Sequence, residues 1–426
     1  MKTLTIKLKQ HTPLIHFQHD QEGATLRASE VKPKLDRFLL TKIGKGDYQQ
    51  GINIAKEKGW LLGNSDHLAL NYKMRIAKDS LSNKTEYLIA SYINKNNKNN
   101  LERKRIKFIS SSPYFAQEKE NGQIARNLLD WNDIDKKGLI ESGDIIITML
   151  SKSDNVTSQI EKHIQAFFLC TNFGTRQSKG FGSFTVTEII ESDVNKDEKK
   201  QIPLEEEEKI LKENYKFIYK KTIGKSGDIL SSIFSTINQD YKLLKSGQSL
   251  PYYKKSKMML YANKNGTSWD KRHIKSKVNG SFKNNSFKPY FLKCELENRE
   301  FNKPSKNICL YYRAMLGLAE QMEFLLQNPP DNNKNNKMIV KIKNHDIERY
   351  QSPLFFKVIN NNIFMMGNDV APELLGKYFD LVVSVQGDNN IKDRKIDGIH
   401  TPTNFSLKDF IESAMQDDSF KYKKIK

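Results

Sequence analysis

The sequence predicts an α+β chain made of two ferredoxin-like βαββαβ domains in tandem, each carrying insertions. Three observations predict it. The chain has 426 residues, enough for two domains that each bury a core. Its alternating and helical apolar patterns run in the order strand, helix, strands, helix, glycine-rich loop, strand. The composition then turns acidic from 188 to 208, ending in Glu205–Glu208, and the second half repeats the outline. The expected division is an N-terminal domain over 1–190, an acidic linker over 191–208, and a C-terminal domain over 209–426 with a basic aromatic insertion.

Residues 3–8 (TLTIKL) alternate and read as a strand. Residues 22–40 read as a turn and a helix. Ser29 is the expected N-cap, and Pro33 fits a first turn. Val31, Leu35, Phe38 and Leu39 share one helical face. Residues 60–62, 68–76 and 102–109 read as strands within a mixed region. Residues 144–150 (DIIITML) read as a strand, and 158–169 as a helix with Ile160, Ile164, Phe167 and Phe168 inward. A strand over 183–190 follows the glycine loop. In the second half, 308–326 reads as a helix with Leu310, Ala314, Leu318 and Met322 in one stripe. Residues 338–342, 354–359, 363–366 and 381–385 read as strands, and the basic segment 420–426 reads as mobile.

Charge narrows the partners. The chain holds 70 Lys+Arg against 50 Asp+Glu, a net +20, with a pI near 9.5. Such a surplus favours an anionic partner, most often nucleic acid. From 240 to 306 there are 16 cations and 5 anions, interleaved with Tyr252, Tyr253, Tyr261, Trp269, Phe282, Phe287, Tyr290 and Phe291. Cations neutralise phosphates and aromatic faces stack on unpaired bases, so the mixture suits single-stranded nucleic acid. Each of these aromatics fits a core equally well. With 23 Phe and 17 Tyr the chain is too aromatic for disorder. No apolar run reaches the roughly 20 residues of a membrane span, and the first ten residues lack a signal-peptide core. Three cysteines, Cys170, Cys294 and Cys309, form no CxxC pair. Reduced thiols in a cytoplasm are expected, with no cofactor and no metal.

Two motifs carry chemistry. Residues 174–184 (GTRQSKGFGSF) place Gly174, Gly180 and Gly182 around Arg176 and Lys179. Glycines let a backbone turn tightly and approach a ligand, and exposed N–H groups hold phosphate. Neither a P-loop nor a Rossmann fingerprint is present. Residues 12–38 gather His16, His19, Arg27, Lys32, Lys34 and Arg37 near a helix start, which attracts phosphate. His16 and His19 form an HxxH without a third ligand. A third segment, 349–358 (RYQSPLFFKV), sets Arg349 before Ser-Pro and a strand.

Together these segments resemble the RAMP superfamily of CRISPR-associated proteins. TLRASEVKPKLDRF is similar to its LRxSxxK helix start. GTRQSKGFGSF is similar to its G-x-R-x-x-[KR]-G-x-G loop, and RYQSPLFFKV to the SPL strand of its larger members. The resemblance is closest to the two-domain end subunit of type III-B (Cmr) effector complexes. It implies tandem RRM-related domains that bind CRISPR guide RNA, target RNA or both beside other RAMP subunits. It carries RNA contact onto Arg27, Ser29, Lys32, Lys34, Gly174, Arg176, Lys179, Gly180, Phe181, Gly182 and Arg349. Some members of the superfamily instead cut precursor RNA without metal, and His16, His19 or His163 would then be the base, His16 first. Their glycine loop lies near the end of the chain, whereas here it closes the first half, so binding without catalysis is expected. A basic protein outside the superfamily, binding ribosomal RNA or DNA, is the remaining alternative.

Overall fold

The computed structural model describes residues 2–15, 26–62, 68–79, 81–90, 107–110, 137–193, 196–201, 206–224, 227–248, 254–281, 289, 308–318, 321–326, 337–347, 350–385 and 394–426. Strand β1 (Lys2–Gln10) alternates as its sequence requires, with Leu4, Ile6 and Leu8 buried. Helix α1 (Ala28–Ile43) buries Val31, Leu35 and Leu39 at helical spacing. It starts earlier than expected. Arg27, extended at φ −116, is the N-cap, and its carbonyl accepts from the N–H groups of Glu30 and Val31. Ser29 therefore lies inside the first turn and is exposed. Pro33 falls in the second turn, where its missing N–H leaves the Ser29 carbonyl without its i+4 donor.

The mixed pattern of 41–130 conceals helix α2 (Tyr48–Glu57), capped by the Asp47 carboxylate. Short strands follow: β2 (Leu61–Leu62), β3 (Ala69–Leu70), β4 (Lys73–Lys78), β5 (Lys84–Ala90), β6 (Lys107–Ser110) and β7 (Lys137–Glu141). Strand β8 (Ile145–Ser151) buries every second residue. Helix α3 (Asp154–Cys170), capped by Ser153, buries Ile160, Ile164, Phe167 and Phe168. Strand β9 (Phe184–Asp193) runs past its expected end and pairs antiparallel with β10 (Lys196–Gln201). The stretch read as an acidic linker is thus in part an edge hairpin. An edge strand needs only its neighbour's backbone, so a polar sequence can form it.

Helix α4 (Glu206–Asn214), strand β11 (Phe217–Thr222) and helices α5 (Ile229–Lys245), α6 (Lys257–Lys264) and α7 (Asp270–Ser281) follow. The helix expected over 308–326 does not form. A 3-10 turn (Tyr312–Leu316) ends at Gly317, whose φ of +101 no α-helix admits, and β12 (Gln321–Leu325) follows. Met322 and Phe324 alternate with exposed or half-buried neighbours, a period of two rather than 3.6. The remaining strands are β13 (Lys337–Lys343), β14 (Leu354–Ile359), β15 (Asn362–Gly367), β16 (Tyr378–Val385) and β17 (Arg394–His400). Helix α8 (Leu407–Ala414) and strand β18 (Lys423–Lys424) complete the order. The segment read as mobile is ordered by Phe420, which is buried, and by β18.

The chain divides into two units. Unit 1 comprises 1–238, 355–366 and 423–426, and unit 2 comprises 239–354 and 367–422. Residues 209–238, expected in the second domain, therefore belong to unit 1. In unit 1 the first sheet has the order β10-β9-β1-β8-β4, every neighbouring pair antiparallel. Its inner face meets α1 and α3 in one core of Leu4, Ile6, Leu35, Ile147, Ile164 and Phe167. The second sheet, β14-β15-β11-β18, draws on three separate stretches of chain. Its residues Ile218, Ile359, Phe364 and Met366 pack with Leu169 and Leu211. Numbered along the chain, β1, β4, β8 and β9 lie in the spatial order fourth-first-third-second. So do β11, β14, β15 and β18.

Unit 2 contains the antiparallel sheet β12-β13-β16-β17. Arg313 is buried there against Asp270, Nε to Oδ1 at 2.7 Å. Tyr261 meets Tyr312, Phe405 and Phe410 edge-on, and Trp269 is buried. These two aromatics of the basic segment are packed among side chains rather than presented to a base. Tyr252, Tyr253, Phe282, Phe287, Tyr290 and Phe291 lie outside the described residues. Among the described residues no helix is long and apolar enough to cross a membrane.

Candidate nucleic-acid interface

The glycine loop is a rigid knot rather than a free turn. Gly174 and Gly182 have φ of +74 and +64. A Cβ at Gly182 would lie 2.0 Å from the Phe173 carbonyl oxygen, and one at Gly174 would lie 2.5 Å from that of Ile15. Only glycine fits either position. Backbone bonds then close the loop on itself and on the segment after β1. Phe173 N–H donates to Gly182 O at 2.9 Å, Gly182 N–H to Pro13 O at 2.9 Å, and Thr175 N–H to Ile15 O at 2.8 Å. The Thr12 hydroxyl donates to Gly180 O at 2.7 Å and accepts from Ser183 N–H at 2.8 Å.

Helix α1 reaches the loop through Glu30, an unassigned position of the helix-start motif. Glu30 Oε1 accepts from Gly174 N–H at 2.8 Å and from Lys34 Nζ at 2.9 Å, and Lys34 lies over the Phe173 ring. One carboxylate thus holds the expected helix start and the expected loop together. Arg27 sits half-buried at the same helix end. Lys32 takes another direction. Its Nζ donates to Asp36 Oδ2 at 2.8 Å and Leu70 O at 3.0 Å, and lies 4.1 Å from the centre of the Tyr72 ring. It braces α1 against β3 and is not grouped with the loop.

Within the loop, Arg176 adopts a left-handed φ of +56, uncommon for a residue with a Cβ. Its guanidinium lies over the Phe181 ring at 5.8 Å. Nε and Nη1 are shielded from solvent yet meet no acceptor among the described residues. Burial alone lowers its pKa to about 10. A desolvated cation without a carboxylate is a group prepared for an anion. Thr175 Oγ1 beside it also lacks a partner among the described residues. Lys179 bridges to Phe356 of β14 through its backbone, with its Nζ 5.9 Å from that ring. Phe181 corrects an expectation. It is 0% exposed and stacks on Phe234 at 3.9 Å, so it supports Arg176 from beneath and offers no face to a base. Gly180 and Gly182 are likewise buried and serve the turn rather than contact.

Behind the loop lies a polar network around Lys357, a residue of the 349–358 segment to which no role was assigned. Lys357 of β14 is 0% exposed. Its Nζ lies within hydrogen-bond distance of four acceptors, Phe168 O at 2.6 Å, Thr171 O and Phe184 O at 3.0 Å, and Asn172 Oδ1 at 3.1 Å, which share its three N–H groups. It satisfies carbonyls at the end of α3, where the helix dipole also favours a cation. Burial lowers its pKa to about 7. His11 is also buried. Nδ1 accepts from Asn360 N–H at 3.1 Å, so Nε2 carries the proton and donates to Thr185 Oγ1 at 2.8 Å. Burial, then Lys357 and Lys9, lower its pKa to about 3. A lone lysine inside the apolar run LFFKVI was the available signal for Lys357.

His163 on α3 is half-buried, with its pKa lowered first by burial. His16, His19 and Arg349 lie outside the described residues. Among the described residues no group of three or more His, Cys, Asp or Glu could hold a metal.

Comparison with known proteins covers nearly the whole chain. The family model of the Cmr1 N-terminal domain matches residues 1–248, and that of the Cmr1 C-terminal domain matches 253–425. No curated protein matches the chain. Among solved structures, a chain of a type III-B Cmr-beta complex bound to cognate target RNA is similar at 14% identity and a TM-score of 0.26. That likeness covers 47% of this chain and 61% of the other, less than two thirds of its length. The apo form of Cmr1 from Pyrococcus furiosus is similar at 11% identity over 100% of this chain and 99% of that one, with a TM-score of 0.39.

Proposed function

This chain belongs to the Cmr1 family, and from that premise we propose that it is a non-catalytic RNA-binding subunit of a type III CRISPR effector complex. It contacts guide RNA, target RNA or both, beside other RAMP subunits, in cytoplasmic antiviral defence. It uses no cofactor and no membrane. Both halves are ferredoxin-like, RRM-related domains. The shared fourth-first-third-second order of the two sheets supports that reading, with 239–354 standing before the second strand of the second domain and 367–422 between its third and fourth.

The observation that carries the function is Arg176. A loop that only glycine can build, tied to the start of α1 through Glu30, keeps Arg176 Nε and Nη1 shielded from solvent and without an acceptor among the described residues. The backbone phosphate of a single strand is the ligand that completes it. Gly174, Gly180 and Gly182 shape the loop, and Lys179, Arg27 and Lys34 add positive charge to this end of the unit. A cutting role needs a free base, and the buried His11, with both ring nitrogens engaged, does not offer one.

The double substitution Arg176→Ala with Lys179→Ala tests this. Fluorescence anisotropy with a single-stranded RNA across a salt series should show binding weakened about tenfold or more. The slope of log affinity against log salt should fall by about one for each phosphate that the variant no longer neutralises. Unchanged affinity and slope in a folded variant would remove the loop from the interface.

A further inference from the structure

Unit 1 has a second polar site, none of whose lining residues belongs to the glycine loop. A cavity of about 340 Å³ is lined by Glu207, Glu208, Lys220, Asn360, Asn362 and Phe364, with Ile359 beside them. That volume is at the lower end for ligand pockets, which suits one small planar molecule. Glu207 is only 8% exposed, and its carboxyl makes no hydrogen bond or ion pair with any described residue. A carboxyl on so little-exposed a residue, without a partner among the described residues, is left to accept from whatever donors enter the cavity. Glu208 is already paired with Lys220 at 2.7 Å. Asn360 Oδ1 accepts from Lys9 Nζ at 3.1 Å, and Asn362 Oδ1 accepts from the Thr222 hydroxyl at 2.7 Å. Each asparagine therefore has its NH2 group left to donate.

The charges select the ligand class. Lys9, Lys220 and Lys357 all act electrostatically on Glu207, which disfavours a cation. Two carboxyls disfavour an anion. What remains for the group inside the cavity is a neutral one with donors on one edge and acceptors on another. Adjacent carboxylate oxygens match two neighbouring N–H groups. Guanine has such a pair at N1 and N2, with acceptors at O6 and N7. Adenine and cytosine set a donor beside an acceptor, and uracil has one N–H between two acceptors.

We propose that this cavity is a guanine subsite, in which Glu207 accepts from N1–H and N2–H, an asparagine amide donates to O6 or N7, and Phe364 and Ile359 contact the ring. The base comes from a free nucleotide or from an unpaired residue of a strand. The subsite goes beyond the phosphate contact at Arg176 and does not depend on it.

Burial, opposed by the three lysines, raises the Glu207 pKa to about 7, so the carboxylate form is the one to study at pH 8. Two probes separate the sources. Calorimetry with GMP and AMP on the full chain tests a free nucleotide. Anisotropy with an oligouridine carrying one central G or one central A tests a strand-held base. A preference of roughly tenfold for guanine in either arm supports the proposal, a bidentate contact being worth about 1–3 kcal/mol of discrimination. Glu207→Gln, close to isosteric, replaces one acceptor by a donor. It should weaken binding of GMP or the G-strand roughly tenfold and gain XMP, whose O2 accepts from the new amide. Equal affinity for G and A in both arms, no binding in either arm, or a Glu207→Gln chain with unchanged preference would overturn it. The Arg176→Ala, Lys179→Ala chain should keep its preference for guanine, so the two readings fail separately.

Discussion

His11 shows how a single side chain can be locked in one protonation state. Asn360 N–H occupies Nδ1 and Thr185 Oγ1 occupies Nε2, so a second ring proton has nowhere to go. Its ordinary pKa of 6.5 falls to about 3 in the folded chain. Between those values the unfolded chain binds a proton that the folded chain does not. The stability contributed by neutral His11 is therefore complete above 6.5 and is lost as the pH falls towards 3. At pH 5 that loss is about 2 kcal/mol. Urea unfolding at pH 7.5 and pH 5 should show it, and His11→Gln should flatten this part of the dependence. A variant with the parent's full pH slope would mean that other groups carry it. Residue chemistry was the least legible level in the sequence. Arg176 and Lys179 stood out because glycines framed them. His11, Glu30 and Lys357 did not, because their partners are 349, 144 and up to 189 residues away along the chain.

Among the elements, the glycine loop was read best, because left-handed turns leave their mark in composition. Gly182→Ala should lower stability by about 2 kcal/mol or more, combining a positive φ with a Cβ set against a backbone oxygen. Thermal unfolding would show the drop, and a melting temperature equal to the parent's would mean that the loop has slack. Strands β1 and β8 and helix α3 were equally legible, since each buries one face at its own period. The helix expected over 308–326 failed for a local reason. Leu310, Ala314, Leu318 and Met322 lie at helical spacing by coincidence, and Gly317 turns the backbone out of the helical region between them. Polarity misled at β10, where an edge position rather than a linker explains the charged sequence.

For the whole molecule, the order of elements was legible and the partition was not. The tandem reading assumed that each domain keeps its own stretch of chain. Instead 355–366 and 423–426 group with 1–238, because β14, β15 and β18 share a sheet with β11. A fragment ending at residue 248, where the N-terminal family match stops, lacks three of that sheet's four strands. It also lacks Lys357, leaving carbonyls at the end of α3 without their donor. Such a fragment should aggregate or melt well below the full chain. Co-expression with 249–426 should restore it, as size-exclusion chromatography and circular dichroism would show. A fragment that is monomeric and as stable as the full chain would contradict the shared sheet.

The shared sheet also sets a timetable for synthesis. Strand β11 leaves the ribosome well before β14 and β15 are made, and β18 follows later still. Until then the Phe217–Ile218–Tyr219 edge stays open in a nascent chain, with its hydrogen-bonding groups available to any passing strand. A chaperone or a neighbouring subunit that covers this edge during translation would guard the chain at its most vulnerable stage. Pauses in translation before residue 354 would lengthen the exposure, and pauses after 367 would leave only the β18 side waiting.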